Sequence, residues 1–293
     1  MPELLVVGAG TVGRATGLGL AARGHPVAFA DVDDRPLGAL RAAGHRATAP
    51  ADVAWADVGV VFVCVSTRAA DDGTSPFAGV LDAVDVVGAG LRGSSHRVTV
   101  AIRSTLTPGT TGELLGPCLE RAASGELGVD FGLVVNPEFL RAATAAQDFE
   151  RPWATVVGAA DDQSGDAIAA LYQPFGAPLV RCTPLEAELI KMGSNCFNAL
   201  KISYFNELHA LAQRLGADST VVNQSIAVTA EGMWNPAYGT VGGTPFRGPC
   251  LPQDVESMAR AGRDQGWEQR LIEATLAVNQ AMGDGDDRPG RPA

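Results

Sequence analysis

The chain has 293 residues with a hydrophobic fraction of 46%, which is long and apolar enough for two compact domains. Its net charge of −11 argues against general binding to nucleic acids or to anionic membranes. The sequence contains no uninterrupted apolar run of about 18 residues, so we expect no transmembrane helix. The N-terminus lacks the basic region of a signal peptide, and the five cysteines include no C-x-x-C pair, so we expect reduced thiols in a cytoplasmic protein.

Short β-rich runs alternate with helical segments through the first half of the chain. This alternation is typical of an α/β fold in which helices cover both faces of a parallel sheet, and we expect a doubly wound sheet of the Rossmann type. Continuous apolar runs such as residues 60–65 suit strands that are buried on both faces. Strands are predicted at residues 4–7, 27–31, 58–65, 98–103 and 131–135, with weaker signals at 154–157 and 179–181.

The pattern changes near residue 183, where the signals for a helix N-terminus accumulate. Thr183, Pro184 and Glu186 supply an N-cap, a proline at the first helical position and a glutamate three residues after the cap. They predict a long helix that ends near Leu215, with Gly216 as its stop.

Three segments follow this helix. A shorter helix is expected over residues 219–230, a loop rich in Gly and Pro over 232–252, and further helix over 255–282. We therefore expect a dinucleotide-binding domain over residues 1–182, an all-helical central domain over 183–283 and a disordered tail over 284–293.

A glycine-rich motif in the first residues predicts a nucleotide site. Gly8, Gly10 and Gly13 form a G-x-G-x-x-G pattern after a predicted strand, and Thr11 and Val12 begin the predicted helix whose N-terminus would hold the phosphates. Asp31 ends the second predicted strand, where a carboxylate binds the ribose hydroxyls of the adenosine and repels the extra phosphate of NADP. The pattern favours NAD. FAD and a glycine-rich turn without a ligand are the alternatives.

Two later segments contain candidate catalytic groups. Glu138 follows a predicted strand, where a carboxylate can act as a general base or fix a water, and the alternative is a solvated loop acid. Lys191 and Asn195 are four residues apart on the predicted long helix, so they share a face and can stabilise an alkoxide together. The alternative for Lys191 is an exposed lysine paired with Glu188. Because Lys191 and Lys201 are the only lysines among 22 basic residues, we favour function for Lys191 and a structural role for Lys201.

A third segment contains a candidate nucleophile. Cys250 lies in a turn bracketed by glycine and proline at a predicted helix start, and helix N-termini favour the nucleophilic thiolate. Asp254, four residues later, is placed to orient a water or a lysine. An inert thiol is the alternative for Cys250. Cys64 and Cys196 lie in apolar runs, and we expect both to be small core residues.

Together these segments resemble the UDP-glucose/GDP-mannose dehydrogenase family over most of the chain. The resemblance implies oxidation of the C6 alcohol of a sugar to a carboxylate, with two NAD molecules and no metal. Its landmarks are the glycine motif, Val65-Ser66-Thr67, Ser104-Thr105-Leu106-Thr107-Pro108-Gly109-Thr110, Asn136-Pro137-Glu138-Phe139-Leu140-Arg141, Ala187-Glu188-Leu189-Ile190-Lys191, Asn195, Lys201-Ile202-Ser203-Tyr204-Phe205-Asn206-Glu207 and Cys250-Leu251-Pro252-Gln253-Asp254.

The resemblance also implies a role for each matching residue. Cys250 would trap the aldehyde as a thiohemiacetal, whose oxidation gives a thioester. Lys191 and Asn195 would stabilise the oxyanions, and Asp254 would work with Lys191 and an ordered water. The remaining roles are hydrolysis of the thioester for Glu138, contact with that water and the cofactor for Thr105, proximity to the cofactor for Thr67, and backbone contacts to the substrate for Phe139 and Leu140.

The sequence departs from the family pattern at several places, and these keep the substrate open. Ala142 replaces a second glutamate, Arg247 replaces a glycine and Gln253 replaces a lysine, while the 293 residues end where the family continues into a domain that binds the substrate's nucleotide. A smaller substrate, such as a sugar phosphate or a nucleoside, is one hypothesis, with Arg247 as an anion anchor or a surface residue. A nucleotide sugar held with the help of a partner protomer or a separate subunit is another.

Two hypotheses from other classes remain, and both differ in measurable ways. A catalytically weakened NAD-binding regulator or scaffold would bind NAD without turnover. A dehydrogenase of the 2-hydroxyacid type, in which Cys250 is idle, would release one NADH per substrate molecule rather than two. Under every one of these hypotheses, the long predicted helix and the helices after it suit pairing across a two-fold axis, as in related dehydrogenases, and we expect a homodimer.

Overall fold

The computed structural model describes residues 2–67, 77–248 and 250–284. By its packing the chain divides into two compact units, Met1–Ser194 and Asn195–Ala293. The tail predicted from residue 284 lies outside the described residues, except for the backbone of Asp284 itself.

The first unit is built on a sheet of eight strands. Their order is β3-β2-β1-β4-β5-β6-β7-β8, and all neighbouring pairs are parallel except the antiparallel pair β6 and β7. The strands are β1 (Glu3–Val7), β2 (Val27–Ala30), β3 (Arg46–Thr48), β4 (Val58–Val63), β5 (Val98–Ile102), β6 (Phe131–Val135), β7 (Thr155–Ala159) and β8 (Leu179–Cys182). The predicted doubly wound Rossmann-type sheet is confirmed, and β7 and β8 run antiparallel to the other six strands.

Helices cover both faces of this sheet. Leu5 and Val7 of β1 contribute to one apolar cluster, whereas Leu4 and Val6 contribute to the cluster on the other face. Both faces of the sheet are therefore buried, which explains the continuous apolar runs in the sequence. The helices are α1 (Thr11–Ala21), α2 (Asp34–Ala42), α3 (Ala78–Leu91), α4 (Gly116–Ala123), α5 (Ala145–Glu150), α6 (Asp162–Tyr172) and the first part of α7 (Pro184–Arg214).

The predicted N-terminus of the long helix α7 is confirmed in detail. The Thr183 backbone N–H donates to a Glu186 carboxylate oxygen at 2.7 Å, and the Glu186 N–H donates to the Thr183 hydroxyl at 3.3 Å, so the two residues cap each other. The helix ends at Arg214, and Gly216 follows with a φ of +72°, the left-handed conformation that favours glycine after a helix.

The described part of the second unit is helical, with two differences from the prediction. It contains the rest of α7, then α8 (Ser219–Thr229), α9 (Glu231–Trp234), α10 (Cys250–Asp264) and α11 (Arg270–Asp284). Helix α10 begins at residue 250 rather than 255, and the periodic segment is two helices because Gly266, at a φ of +64°, lies between them. Within the described ranges, no helix combines the length and apolar character needed to cross a membrane.

Candidate active site

The candidate residues of the first unit line up along one edge of its sheet. Asp31, Gly8, Thr67, Thr105 and Glu138 follow the carboxyl ends of β2, β1, β4, β5 and β6, which are neighbours in this order. Adjacent strands are about 4.8 Å apart, so the row extends over roughly 19 Å. Ligands of open α/β sheets bind outside this edge.

The glycine turn combines two crowded positions with one open position. Gly8 has a φ of +97°, and a Cβ there would lie 2.8 Å from the Cys64 carbonyl carbon. A Cβ on Gly13 would lie 1.8 Å from the Gly8 oxygen, whereas a Cβ on Gly10 would meet nothing within 4 Å. Gly8 and Gly13 therefore serve close packing, and Gly10, the N-cap of α1, leaves space for a ligand group beside the helix N-terminus.

Asp31 is part of the same turn. One carboxylate oxygen accepts the Ala9 N–H at 2.6 Å, and the other accepts the Asp33 N–H at 2.8 Å. Each oxygen keeps a second lone pair, so the half-buried carboxylate can still accept hydrogen bonds from ribose hydroxyls. The open position at Gly10, the helix N-terminus and this carboxylate together fit the adenosine and phosphate groups of NAD.

Lys191 and Glu138 form a buried ion pair. The Lys191 Nζ lies 3.0 Å from a Glu138 carboxylate oxygen and also donates to the Glu138 backbone carbonyl. The two side chains are only 7% and 12% exposed, and the Nζ lies 5.4 Å from the centre of the Phe139 ring. The other Glu138 oxygen accepts the Leu140 N–H. The alternatives of an exposed lysine and a solvated loop acid are therefore wrong.

Glu188 binds the loop after β5 instead of Lys191. Its carboxylate accepts the Gly109 N–H at 2.6 Å, the Thr111 N–H at 2.8 Å and the Thr111 hydroxyl at 2.6 Å. The residue is 2% exposed, and these three donors satisfy the buried charge. The alternative in which Glu188 pairs with Lys191 is therefore wrong, and Glu188 instead fixes α7 to the segment that follows Thr105.

Close packing at the start of α7 sets the position of Lys191. A Cβ on Gly158 of β7 would lie 2.5 Å from the Ala187 Cβ and 2.7 Å from the Thr183 carbonyl oxygen. Ala187 is fully buried with Val135 and Val156. The first turns of α7 therefore lie directly against the sheet, and this brings Lys191 to the segment after β6.

The segment of residues 136–141, called here the Glu138 loop, is anchored at its two ends by Arg103 and Asp148, which sequence reasoning missed. Asn136 is 1% exposed, and its side chain donates to the Val156 carbonyl at 2.8 Å and accepts from Arg103 at 2.6 Å. At the other end, the Asp148 carboxylate accepts from the Arg141 backbone and guanidinium at 2.6–3.0 Å. Hydrogen bonds from the Arg141 side chain and backbone hold the pKa of the Asp148 carboxyl well below its usual range.

The other candidate residues belong to the second unit. Cys250 is exposed and is the first residue of α10, and Asp254 lies one turn later on the same helix. Arg247 is exposed and precedes this helix, while Pro249 of the predicted rigid turn lies outside the described residues. Asn195 is exposed on α7, one turn after Lys191.

The two cysteines expected in the core behave differently. Cys64 is buried, and burial raises the pKa of its thiol to about 12, so this residue is an inert core thiol as predicted. Cys196 is exposed, and the prediction that it lies in the core is wrong. Its neighbours in α7 are exposed as well, including the apolar Phe197, so none of the described residues buries the apolar run around Cys196.

Comparison with known protein families identifies the chain. A model described as the NAD binding domain of the UDP-glucose/GDP-mannose dehydrogenase family matches residues 39–176, and the model of the central domain of that family matches residues 185–281. The chain belongs to the UDP-glucose/GDP-mannose dehydrogenase family. NAD is therefore its cofactor, in agreement with the glycine turn and Asp31, and the chain is an NAD-dependent oxidoreductase.

Characterised relatives and solved structures agree with this assignment. The chain is 31% identical to the UDP-glucose 6-dehydrogenase AglM of Haloferax volcanii, over 96% of this chain and 70% of that protein. It is 33% identical to the GDP-mannose 6-dehydrogenase of Pseudomonas aeruginosa, over 94% of this chain and 68% of that protein. A crystal structure of a ternary complex of the Pseudomonas aeruginosa GDP-mannose dehydrogenase has a TM-score of 0.89 at 30% identity, covering 96% of this chain and 69% of that one. A UDP-glucose dehydrogenase from Pyrobaculum islandicum has a TM-score of 0.74 at 32% identity, covering 97% and 69%.

Proposed function

We propose that this protein oxidises the primary alcohol of a nucleotide sugar to a carboxylate in two hydride transfers, through a substrate bound covalently to Cys250. The observation that carries the proposal is the buried pair of Lys191 and Glu138 at the carboxyl edge of an NAD-binding sheet. A buried ammonium and carboxylate persist where their charges are used or fully paired, and this pair also borders the Phe139 and Leu140 segment that would contact substrate.

The proposed reaction has four bond-changing steps. In the first, the alcohol loses a proton and its carbon gives a hydride to NAD, which leaves an aldehyde. The Cys250 sulfur then adds to the aldehyde carbon to form a thiohemiacetal. Loss of the hydroxyl proton of this adduct and of a second hydride, which a second NAD accepts, gives a thioester. Water finally attacks the acyl carbon, the carbon–sulfur bond breaks, and the carboxylate and the free thiol result.

The protein's own side chains supply charge and orientation in these steps. The Lys191 ammonium, with the Asn195 amide, would stabilise the negative charge that develops on the substrate oxygen. The Glu138 carboxylate would orient the water that attacks the thioester and take its proton, and Thr105 would help to hold this water. Asp254, one turn after Cys250, would assist through Lys191 and an ordered water.

A nucleotide sugar is the substrate class that the relatives support best. The two relatives described above are a UDP-glucose 6-dehydrogenase and a GDP-mannose 6-dehydrogenase. The two solved structures are likewise a GDP-mannose dehydrogenase and a UDP-glucose dehydrogenase. Arg247 is the candidate to bind an anionic group such as a diphosphate. A sugar phosphate or a nucleoside remains the second substrate class, because the chain spans about 70% of the length of these relatives.

Counting NADH per product tests the proposal directly. The purified chain is supplied with NAD and a panel of nucleotide sugars, sugar phosphates and nucleosides, and the products are identified by mass spectrometry. We expect two NADH per carboxylate from a nucleotide sugar with the unchanged protein. The Cys250→Ala variant should produce no acid, while the Cys118→Ala variant, altered at a thiol outside the proposed site, should keep full activity. Complete acid formation by the Cys250→Ala variant would contradict the covalent route.

A second candidate function is an NAD-binding regulator with weakened catalysis. The observation that favours it is Ala142, which stands where the family pattern has a second glutamate. This candidate predicts NAD binding with no NADH formation on any sugar in the panel. One substrate with a turnover above background would eliminate it.

We also propose that the protein forms a homodimer through α7 and α8. Residues 195–203 of α7 are exposed without interruption, and among them Phe197, Leu200 and Ile202 are 59%, 52% and 63% exposed. Val221 and Val228 of α8 are 60% and 74% exposed. A helix with apolar side chains exposed over more than two turns is typical of a protein–protein interface.

A further inference from the structure

A buried arginine lies beneath the Glu138 loop without an acidic partner. Arg103, directly after β5, is 4% exposed, and no carboxylate forms an ion pair with it among the described residues. One terminal nitrogen donates to the Asn136 carbonyl at 3.3 Å, to the Asn136 side-chain oxygen at 2.6 Å and to the Tyr172 hydroxyl at 2.7 Å. All three acceptors are neutral.

This arrangement contributes little to stability. A buried guanidinium without a carboxylate loses its hydration, and the Arg103 Nε has no hydrogen-bond partner in the part of the chain that the structure describes. The rings of Phe149 and Tyr172, at 5.9 Å and 6.0 Å from the guanidinium carbon, compensate only in part. An apolar side chain of similar volume often stabilises a core as well as a buried charge does. Stability therefore does not explain why an arginine occupies position 103, and the residue that its side chain binds is the better explanation.

Arg103 holds the residue that determines the path of the Glu138 loop. Asn136 also donates its backbone N–H to the Ile102 carbonyl at 2.9 Å and its side-chain amide to the Val156 carbonyl, so it is fixed on β5 and β7. Pro137 follows, and its ring restricts the φ angle between Asn136 and Glu138. The position of Asn136 therefore largely determines the position of Glu138. Both the carbonyl and the carboxylate of Glu138 bind Lys191. Arg103 is therefore connected to Lys191 through Asn136, Pro137 and Glu138.

We infer that Arg103 is a positioning residue for Glu138, needed for hydrolysis of the thioester although it does not touch the substrate. The inference rests on the proposed function. When Glu138 is displaced, the water is no longer oriented toward the acyl carbon, the carbon–sulfur bond persists, and the enzyme accumulates as the Cys250 thioester. The steps before the thioester do not use the Glu138 carboxylate as a base, so we expect their rates to change much less than the rate of hydrolysis.

Steady-state kinetics and intact-protein mass spectrometry of Arg103→Met and Arg103→Lys test the inference. Slow hydrolysis lowers kcat and KM together, so we expect kcat to fall by about 100-fold in Arg103→Met while kcat/KM stays within about threefold. Protein quenched during turnover should show the mass of a covalent acyl adduct. Arg103→Lys should lose less, because an ammonium offers three hydrogens to the same three acceptors from a side chain one atom shorter.

Two further variants make the outcome decisive. Arg97→Met changes the arginine at the other end of β5, which pairs with Asp161 at 3.0 Å, and should behave as the unchanged protein. Glu138→Gln should accumulate the adduct. If Glu138→Gln shows no adduct, the proposed thioester route fails, and the inference fails with it. If Glu138→Gln accumulates the adduct but the Arg103 variants do not, the inference alone is overturned. Equal falls of kcat and kcat/KM in a folded variant would show that a step before hydrolysis is slowed, and would also overturn the inference. If Arg103→Met does not fold, the result with Arg103→Lys decides.

Discussion

At the scale of single residues, the buried pair of Lys191 and Glu138 is the contact of the site that we expect to affect both stability and catalysis most. Each charge is nearly inaccessible to water, and each is the principal partner of the other. Removing one partner of a buried pair leaves an uncompensated charge, whereas removing both charges can be nearly neutral. The pair therefore links stability to catalysis, and the two contributions can be separated.

A double-mutant cycle measures the stability part. Lys191→Met should lower the free energy of unfolding by about 3 kcal/mol, because it leaves the Glu138 carboxylate buried without a cation. Adding Glu138→Gln should recover a large part of this loss. Urea denaturation of the two single variants and the double variant gives the coupling free energy. Additive losses would show that the two side chains do not interact in solution.

The Asp31 carboxylate should decide between NAD and NADP. We expect Asp31→Asn to weaken NAD binding by about tenfold and to reduce the preference over NADP, since the amide oxygen can still accept the Ala9 N–H but the negative charge is gone. Isothermal titration with both dinucleotides measures the two affinities. Asp33→Asn is the matched control, because Asp33 caps α2 by accepting the Arg35 N–H. An unchanged NAD affinity in Asp31→Asn would argue against its ribose-binding role.

At the scale of elements, the Glu138 loop depends on the charged contact at its far end. Asp148 is 5% exposed and binds both the backbone and the guanidinium of Arg141, and the Arg141 guanidinium carbon lies 5.2 Å from the Trp153 ring centre. These contacts favour the ionised Asp148 and lower its pKa. A carboxyl group whose pKa is lower in the folded protein stabilises the fold above its unfolded pKa of about 3.9, and the stabilisation disappears as the pH falls toward the folded pKa.

Acid unfolding should report this contact. In the unchanged protein the stability supplied by Asp148 is complete above about pH 5 and is lost progressively below about pH 4. Asp148→Asn lacks this titration, so its free energy of unfolding should be lower at neutral pH and should decline less steeply on acidification. Thermal melts at a series of pH values measure the difference. Asp166→Asn, which alters an acid that is 76% exposed and paired with Arg181, should leave the pH profile unchanged.

The elements also show which parts of the structure can be read from the sequence. The buried parallel strands, the cap of α7 and the glycine turn were predictable, because each depends on residues close together in the chain. Strand β3 was missed because it is three residues long, lies at the sheet edge and contains Arg46 and Thr48 rather than an apolar run. The reversal of β7 and β8 depends on the antiparallel pairing of β7 with β6, which no local pattern records.

The candidate site follows the same division between local and distant contacts. Lys191, Glu138 and Cys250 were recognised as chemical groups, but the partner of Lys191 was not, because Glu138 is 53 positions away. Arg103 was overlooked for the same reason, since Asn136 is 33 positions away. Asp148 is only seven positions from Arg141, but no pattern in the residues between them indicates their contact. An arginine immediately after the apolar run of residues 98–102 was the available signal.

At the scale of the whole molecule, the exposed apolar face of α7 and α8 determines the expected assembly. Phe197→Asp places a charge on this face, and we expect it to convert a homodimer into a monomer. Size-exclusion chromatography with light scattering gives the mass of the particle. Val129→Asp, which changes a hydrophobic residue that is 62% exposed in the first unit, should leave the mass unchanged. A monomeric unchanged protein, or a dimeric Phe197→Asp variant, would contradict the proposed interface.

The early turns of α7 have a practical consequence for anyone who wishes to produce the cofactor-binding part alone. The change from strands to helices at residue 183 invites a cut there, but Ala187, Glu188 and Lys191 complete the interior of the first unit. A fragment that stops at residue 182 would expose Val135 and Val156 and leave Glu138 without its cation. The shortest fragment that should remain monodisperse after purification ends near Ser194, in the middle of a continuous helix.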